Sequence, residues 1–255
     1  MRDKLLIANW KMNFSVKKSI EKYDQIKKHL IKSNFSNNSL KVIICSNYLS
    51  TKSLYDISID KAFLGVQDIT HLSQSEGPFT GEISVDLVKE FVDYSIIGHS
   101  ERRTLLNESN SDVSKKISLC SDSNIRPILC IGENQQTRLN SNHIDFVRNQ
   151  LRESVKNFNK WDSIILAYEP LWAIGTGVAC EPNDAIEMIN AIRSELKIIS
   201  GTDEIPILYG GSVSSNNISN LIDSGDIDGA LIGSSSMNPQ EFSKIIDICR
   251  SVWKV

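Results

Sequence analysis

Residues 163–170 read Ser163-Ile164-Ile165-Leu166-Ala167-Tyr168-Glu169-Pro170, and this stretch decides the fold. Its apolar run, Ile164–Tyr168, is continuous rather than alternating, and then stops at a carboxylate and a proline. A strand buried on both faces reads this way, as parallel strands do, whereas a half-solvated strand alternates. Seven more runs of the same kind lie along the chain: Leu5–Ala8, Val42–Cys45, Ala62–Val66, Tyr94–Ile97, Pro127–Ile131, Ile205–Tyr209 and Ala230–Ile232. Segments of helical length separate them. Ser15–Ile31 sets Val16, Ile20, Tyr23, Ile26, Lys27 and Leu30 at steps of three and four, an apolar stripe with one lysine in it. Asp112–Leu119 follows an Asn/Ser-rich turn, and Asn183–Leu196 carries Ile186, Ile189 and Ile192 on one face. Pro239–Trp253 opens with Asn238 as N-cap and proline at the first helical position. Eight such strand–helix units in 255 residues are the count of an α/β fold, a single (β/α)8 TIM barrel with eight parallel strands over residues 1–255. A doubly wound sheet is the alternative. No Pro/Gly/Ser-rich linker divides the chain, and no fixed-period repeat runs through it.

Composition narrows the class. Lys and Arg total 28 and Asp and Glu 31, a formal net charge of −3 without basic runs, which argues against a nucleic-acid surface. No apolar run approaches the roughly 18–20 residues that cross a bilayer, so no membrane association is expected. Only four apolar residues separate Lys4 from Asn9, too few for a secretory signal. Five scattered cysteines (Cys45, Cys120, Cys130, Cys180 and Cys249) make no CxxC pair and no metal spacing. They fit free thiols in a reducing compartment, and a cytoplasmic location is the expectation.

The chemistry-bearing residues fall just after the strand runs, where a barrel builds its active site. Asn9 and Lys11 follow the first run; His99, Ser100 and Glu101 follow the fourth; Glu169 follows the sixth. Glycine turns follow the last three runs: Gly175-Thr176-Gly177, Gly210-Gly211-Ser212 and Gly233-Ser234. Such turns expose backbone N–H groups that bind anions, phosphate above all. Singly, each residue has a plainer reading: a rim lysine, a structural histidine, a tight turn, a solvent-facing glutamate. Their shared placement sets them apart.

Six stretches carry a resemblance: residues 8–13 (Ala-Asn-Trp-Lys-Met-Asn), 77–82 (Gly-Pro-Phe-Thr-Gly-Glu), 97–103 (Ile-Gly-His-Ser-Glu-Arg-Arg), 130–133 (Cys-Ile-Gly-Glu), 167–177 (Ala-Tyr-Glu-Pro-Leu-Trp-Ala-Ile-Gly-Thr-Gly) and 209–213 (Tyr-Gly-Gly-Ser-Val). In this order and over nearly the whole chain, the sequence resembles the triosephosphate isomerase family. The resemblance implies interconversion of dihydroxyacetone phosphate and D-glyceraldehyde 3-phosphate through an enediolate, without cofactor or metal. It implies Glu169 as the base, His99 as the electrophile kept neutral by a helix N-terminus, and Lys11 as the charge-offsetting cation with Asn9 as its partner. Glu101 matches the carboxylate near Lys11, and Ser100 supports the His99 turn. Gly175, Ser212, Gly233 and Ser234 match the phosphate-gripping positions, and Tyr209 and Ser212 those that hold a lid, about residues 170–180, closed. Residues about 68–82 match a loop that inserts into a second subunit, with Thr80 reaching toward the partner's site; a homodimer is therefore expected.

The chain departs from the family pattern at three places. The far lid hinge reads Val178-Ala179-Cys180, where the family has a Lys-Thr-Ala type triplet. Ser234 stands where the family has a second glycine, and its Cβ is expected to restrict φ and weaken phosphate affinity. Asp68–Glu76 looks about two residues longer. Altered lid kinetics or KM would follow. Two rivals remain at this level. Another sugar-phosphate barrel enzyme, such as an aldolase, would want a strand lysine or a histidine metal set. A barrel retained only for binding would have lost Glu169, His99 or Lys11.

Overall fold

The eight apolar runs become eight strands in the computed structural model, which describes residues 2–173 and 180–255. They are β1 (Leu5–Asn9), β2 (Lys41–Ser46), β3 (Phe63–Val66), β4 (Tyr94–Ile97), β5 (Arg126–Ile131), β6 (Ile165–Tyr168), β7 (Ile207–Tyr209) and β8 (Gly229–Ile232). Each pairs in parallel with the next, and β8 returns to β1, so the sheet closes into a barrel in sequence order. Continuous apolar runs are needed because each strand faces two cores. Leu5, Ile7, Ile43, Ile96, Ile128, Ile165, Leu208 and Leu231 pack with one another and with no helix residue, filling the barrel. Leu6, Val42, Ile44, Leu129, Leu166 and Ile232 point outward and pack with Ile26, Leu30, Ile117, Ile189 and Ile246 of the surrounding helices.

Strand and helix ends shift for local reasons. β7 starts at Ile207 rather than Ile205, because Pro206 has no N–H for the ladder, although its carbonyl still accepts the Leu166 N–H at 3.0 Å. Ala62 stays outside β3, its N–H turned back to the Ile59 carbonyl at 3.2 Å. The first helix runs Val16–Lys32, with Ser15 as its cap accepting the Lys18 N–H. The lysine in its stripe, Lys27, is half-buried and donates to the Ile57 carbonyl at 3.2 Å. The segment expected over Asp112–Leu119 runs Asn110–Asp122, because Ser109 and Asp112 form a capping box one turn earlier. Pro182–Ser200 extends to Gly201, whose φ of +76° ends it, and Pro239–Trp253 has Asn238 accepting from two first-turn N–H groups.

Two buried charge clusters fasten this frame. At the seam between first and last strands, the Asp228 carboxylate is fully buried. It accepts from Arg2 Nε at 2.9 Å, Lys4 Nζ at 3.0 Å, Arg193 Nη2 at 2.9 Å and the Ile207 N–H at 3.1 Å. At the carboxyl side, Lys116 is 2% exposed on the inner face of helix Asn110–Asp122. Its ammonium donates to both Asp68 oxygens, at 2.9 and 2.7 Å, and to Glu108. Arg102 Nε reaches Asp68 at 2.7 Å and Glu108 at 3.1 Å, so two cations face two carboxylates. Burial, working against both cations, pushes the Asp68 carboxyl up to about 6.

Candidate active site

The strand ends of β1, β4, β6, β7 and β8 open onto one cavity of about 310 Å³, lined by Asn9, Lys11, His99, Glu169, Ser212, Gly233 and Ser234 among others. Lys11 has left-handed backbone, φ +49°, an uncommon state for a side-chain-bearing residue. Two contacts hold it there: its N–H donates to Asn9 Oδ1 at 3.1 Å, and Gln67 Nε2 donates to its carbonyl at 2.9 Å. Its ammonium meets Glu101 Oε1 at 2.5 Å.

His99 caps the helix Ser100–Leu105, and its Nδ1 accepts the Glu101 N–H at 3.2 Å. A ring nitrogen that accepts an N–H carries no proton, so the imidazole proton sits on Nε2. That nitrogen faces Glu169 Oε1 at 3.0 Å, while Glu169 Oε2 accepts the Ser100 N–H at 2.8 Å. Glu169 is 2% exposed. Burial alone would raise its pKa, but His99 and the Ser100 N–H hold the carboxyl below the usual range. For His99, burial lowers the pKa and the Glu169 carboxylate more than restores it, to a net raised value. The Glu101 carboxylate adds to the rise, while the Glu101 N–H on Nδ1 opposes protonation.

The loops beneath are shaped for this pair. Gly98 has φ +69°, and a Cβ there would lie 2.9 Å from Arg103 Nη2 and from Val113 Cγ2. Arg103 then clasps the turn, donating to the Gly98 carbonyl at 2.7 Å and to Asn110 Oδ1 at 2.7 Å. A Cβ on Gly132 would fall 1.8 Å from the Glu169 carbonyl oxygen, so only glycine lets the Glu169–Pro170 backbone pass.

Of the residues singled out from sequence, the cavity gathers Asn9, Lys11, His99, Glu169, Ser212, Gly233 and Ser234. Ser100 contributes its N–H to Glu169, and Glu101 binds Lys11 at the rim. Tyr209 is buried behind Gly211, where a Cβ would lie 2.2 Å from its hydroxyl. Ser212 Oγ donates to the Ala173 carbonyl at 3.3 Å. Thr80 is exposed on its own loop, away from this cavity. Gly175, Val178 and Ala179 lie outside the described residues. The Cys180 thiol, beside the Tyr209 hydroxyl, is pushed up to about 11 by burial and stays protonated.

The expected strain at Ser234 is corrected: it opens the 3-10 turn Ser234–Met237 and is absent from the residues with positive φ, so its Cβ restricts nothing the turn needs. One residue passed over in the sequence is Glu133, 0% exposed, which accepts from the Tyr168 hydroxyl at 3.1 Å and Trp172 Nε1 at 2.8 Å. Its signal was the same as that of Glu169, a carboxylate just past a strand run.

A buried carboxylate and an imidazole N–H beside an ammonium, at the carboxyl ends of a parallel barrel, define a (β/α)8 enzyme that moves protons on a small anionic substrate. The family model described as triosephosphate isomerase matches residues 4–249. A triosephosphate isomerase of Finegoldia magna is 38% identical over 97% of this chain and 99% of its own length. Those of Flavobacterium psychrophilum (35%, 97% and 99%) and Aquifex aeolicus (36%, 95% and 98%) are similar over the same extent. The chain belongs to the triosephosphate isomerase family.

Proposed function

We propose that this chain interconverts dihydroxyacetone phosphate and D-glyceraldehyde 3-phosphate, the triose step of glycolysis and gluconeogenesis. The observation that carries the reading is the Glu169–His99 contact at 3.0 Å inside the cavity that also holds Lys11. Glu169 and the substrate compete for His99 Nε2, so the carboxylate first turns off His99 and the Ser100 N–H. Gly210 leaves room for that side chain, since a Cβ there would lie 2.9 Å from Glu169 Cγ.

The carboxylate then takes a proton from the carbon beside the carbonyl. The C–H electron pair becomes the C=C bond, and the carbonyl pair moves onto oxygen. His99 Nε2–H donates to that oxygen, and Lys11, steadied by Asn9 and Glu101, offsets its charge. Glu169 returns the proton to the neighbouring carbon. Backbone N–H groups of the Ser212 and Gly233-Ser234 turns, with Gly175, hold the phosphate. Each step uses only groups of this chain. Residues 170–180 act as the lid that keeps water from the enediolate, with Tyr209 and Ser212 as its anchors. The test is a coupled isomerase assay on the purified chain: turnover in both directions is expected, and none in folded protein would overturn the reading.

The partner of this chain is a second copy of itself, and the cytoplasm is its location. Among the described residues no helix is long and apolar enough to cross a membrane. The loop after β3 closes at its neck, where the Thr70 N–H meets the Ile83 carbonyl at 2.8 Å, and it carries exposed Thr80 outward. Met12, just past β1, and Leu49, in the helix Tyr48–Asp56 that follows β2, are 97% and 83% exposed, an apolar neighbourhood for that loop to cover. Sedimentation equilibrium is expected to give the dimer mass; a monomer at micromolar concentration removes the idea.

A further inference from the structure

The turn after β8 carries three consecutive serines, and two of their hydroxyls are occupied. Ser235 Oγ donates to the Val213 carbonyl, and Ser236 Oγ to the carbonyls of Ile232 at 2.9 Å and Gly233 at 2.7 Å. These bonds fix the turn against the loop after β7 and against β8 itself. The Ser234 hydroxyl bonds to no described residue; Ser234 is exposed and is one of the residues that line the cavity. Its backbone is unstrained, so the side chain is held in place at no conformational cost. Gly233 just before it packs on the Lys11 stem, a Cβ there lying 3.5 Å from Lys11 Cε, and Lys11 and Ser234 both line the cavity.

We propose that the Ser234 side chain is itself a ligand of the substrate's phosphate, its O–H donating to a peripheral oxygen of the monoester dianion. The proposal rests on the isomerase reading for the identity of the substrate. A phosphate dianion offers more acceptor sites than one ammonium and a few N–H groups can fill, and Glu101 already draws on Lys11. A neutral hydroxyl adds a donor without another charge, and a hydrogen bond to an ionised acceptor is roughly twice as strong as one between neutral groups. The serine that departs from the family's glycine thereby strengthens the phosphate grip, the opposite of what its Cβ alone suggested.

Ser234→Ala keeps the Cβ and removes the hydroxyl; Ser234→Gly removes both; Ser234→Thr keeps the donor. The contact exists in ground and transition states alike, so its loss falls on KM rather than kcat. KM and the inhibition constant of inorganic phosphate are each expected to rise about threefold to tenfold in the alanine and glycine variants, and to be recovered in threonine. Unchanged phosphate inhibition in Ser234→Ala, or tighter inhibition in Ser234→Gly, overturns the proposal. Calorimetric binding of inorganic phosphate to wild type and Ser234→Ala gives the same comparison without catalysis, so failure of the isomerase assay and failure of this proposal remain distinct.

Discussion

Glu169→Gln is expected to lower kcat by about 10²- to 10⁴-fold, the range a positioned general base supplies. The amide has the carboxylate's shape and cannot take a proton. It can still accept the Ser100 N–H that Oε2 accepts at 2.8 Å, so the loop keeps its place and the protein its fold. Its NH2 group would face His99 Nε2–H donor to donor, which costs resting-state contact rather than chemistry. Because the wild-type carboxyl lies below its ordinary range, it is ionised throughout neutral pH. The ratio of wild-type to variant kcat/KM, which reports the free enzyme, should therefore stay flat from about pH 6 to about pH 9. Stopped or coupled kinetics beside a melting curve make the check. Activity within tenfold of wild type, in folded protein, would show that Glu169 is not the base.

Lys116→Met should cost about 3–5 kcal/mol of stability, the usual penalty for removing one partner from a buried charge cluster. Methionine fills the space of the stem, leaving two carboxylates, Asp68 and Glu108, against Arg102 alone. The excess negative charge then raises a carboxyl that burial has already lifted to about 6 at Asp68. The sign follows from linkage. A folded-state pKa above the unfolded value means the folded state binds the proton more tightly, so lowering the pH through that value relieves the penalty. The deficit measured by denaturant unfolding should be largest near pH 8 and smaller near pH 5. A deficit below about 1 kcal/mol, or one that ignores pH, would falsify the balanced-cluster account.

The sequence made the barrel legible because a parallel strand has only one way to look when both faces are dry. Ile164–Tyr168 announced β6 to within one residue. The catalytic candidates were legible for a related reason: a charge or imidazole directly after such a run sits at the carboxyl end of the barrel, although Glu133, with the same signal, turns to Tyr168 and Trp172 rather than into the cavity. Lys116 was not legible. A lysine within an amphipathic helix reads as solvated, and only the folded chain shows Asp68, 48 positions away, waiting for it. Asp228 is hidden for the same reason, since its cationic partners Arg2 and Arg193 lie 226 and 35 positions away. Ser234 was misread because φ is a property of the turn, and sequence shows only that a Cβ is present.

The Asp228 clasp also sets a schedule. Its bond to Arg2 joins residues 226 positions apart, among the most distant partners the barrel contains. Closing so long a loop costs entropy that no local contact repays, and chains with such contacts fold slowly. During synthesis, β1 emerges before the other strands and has no β8 to pair with until all six intervening strands have been made. Until then the open sheet presents two bare edges, one of them ending in Arg2 and Lys4. Those two cations at the first edge, awaiting one acid at the last, discourage the early strand from pairing with copies of itself on neighbouring nascent chains.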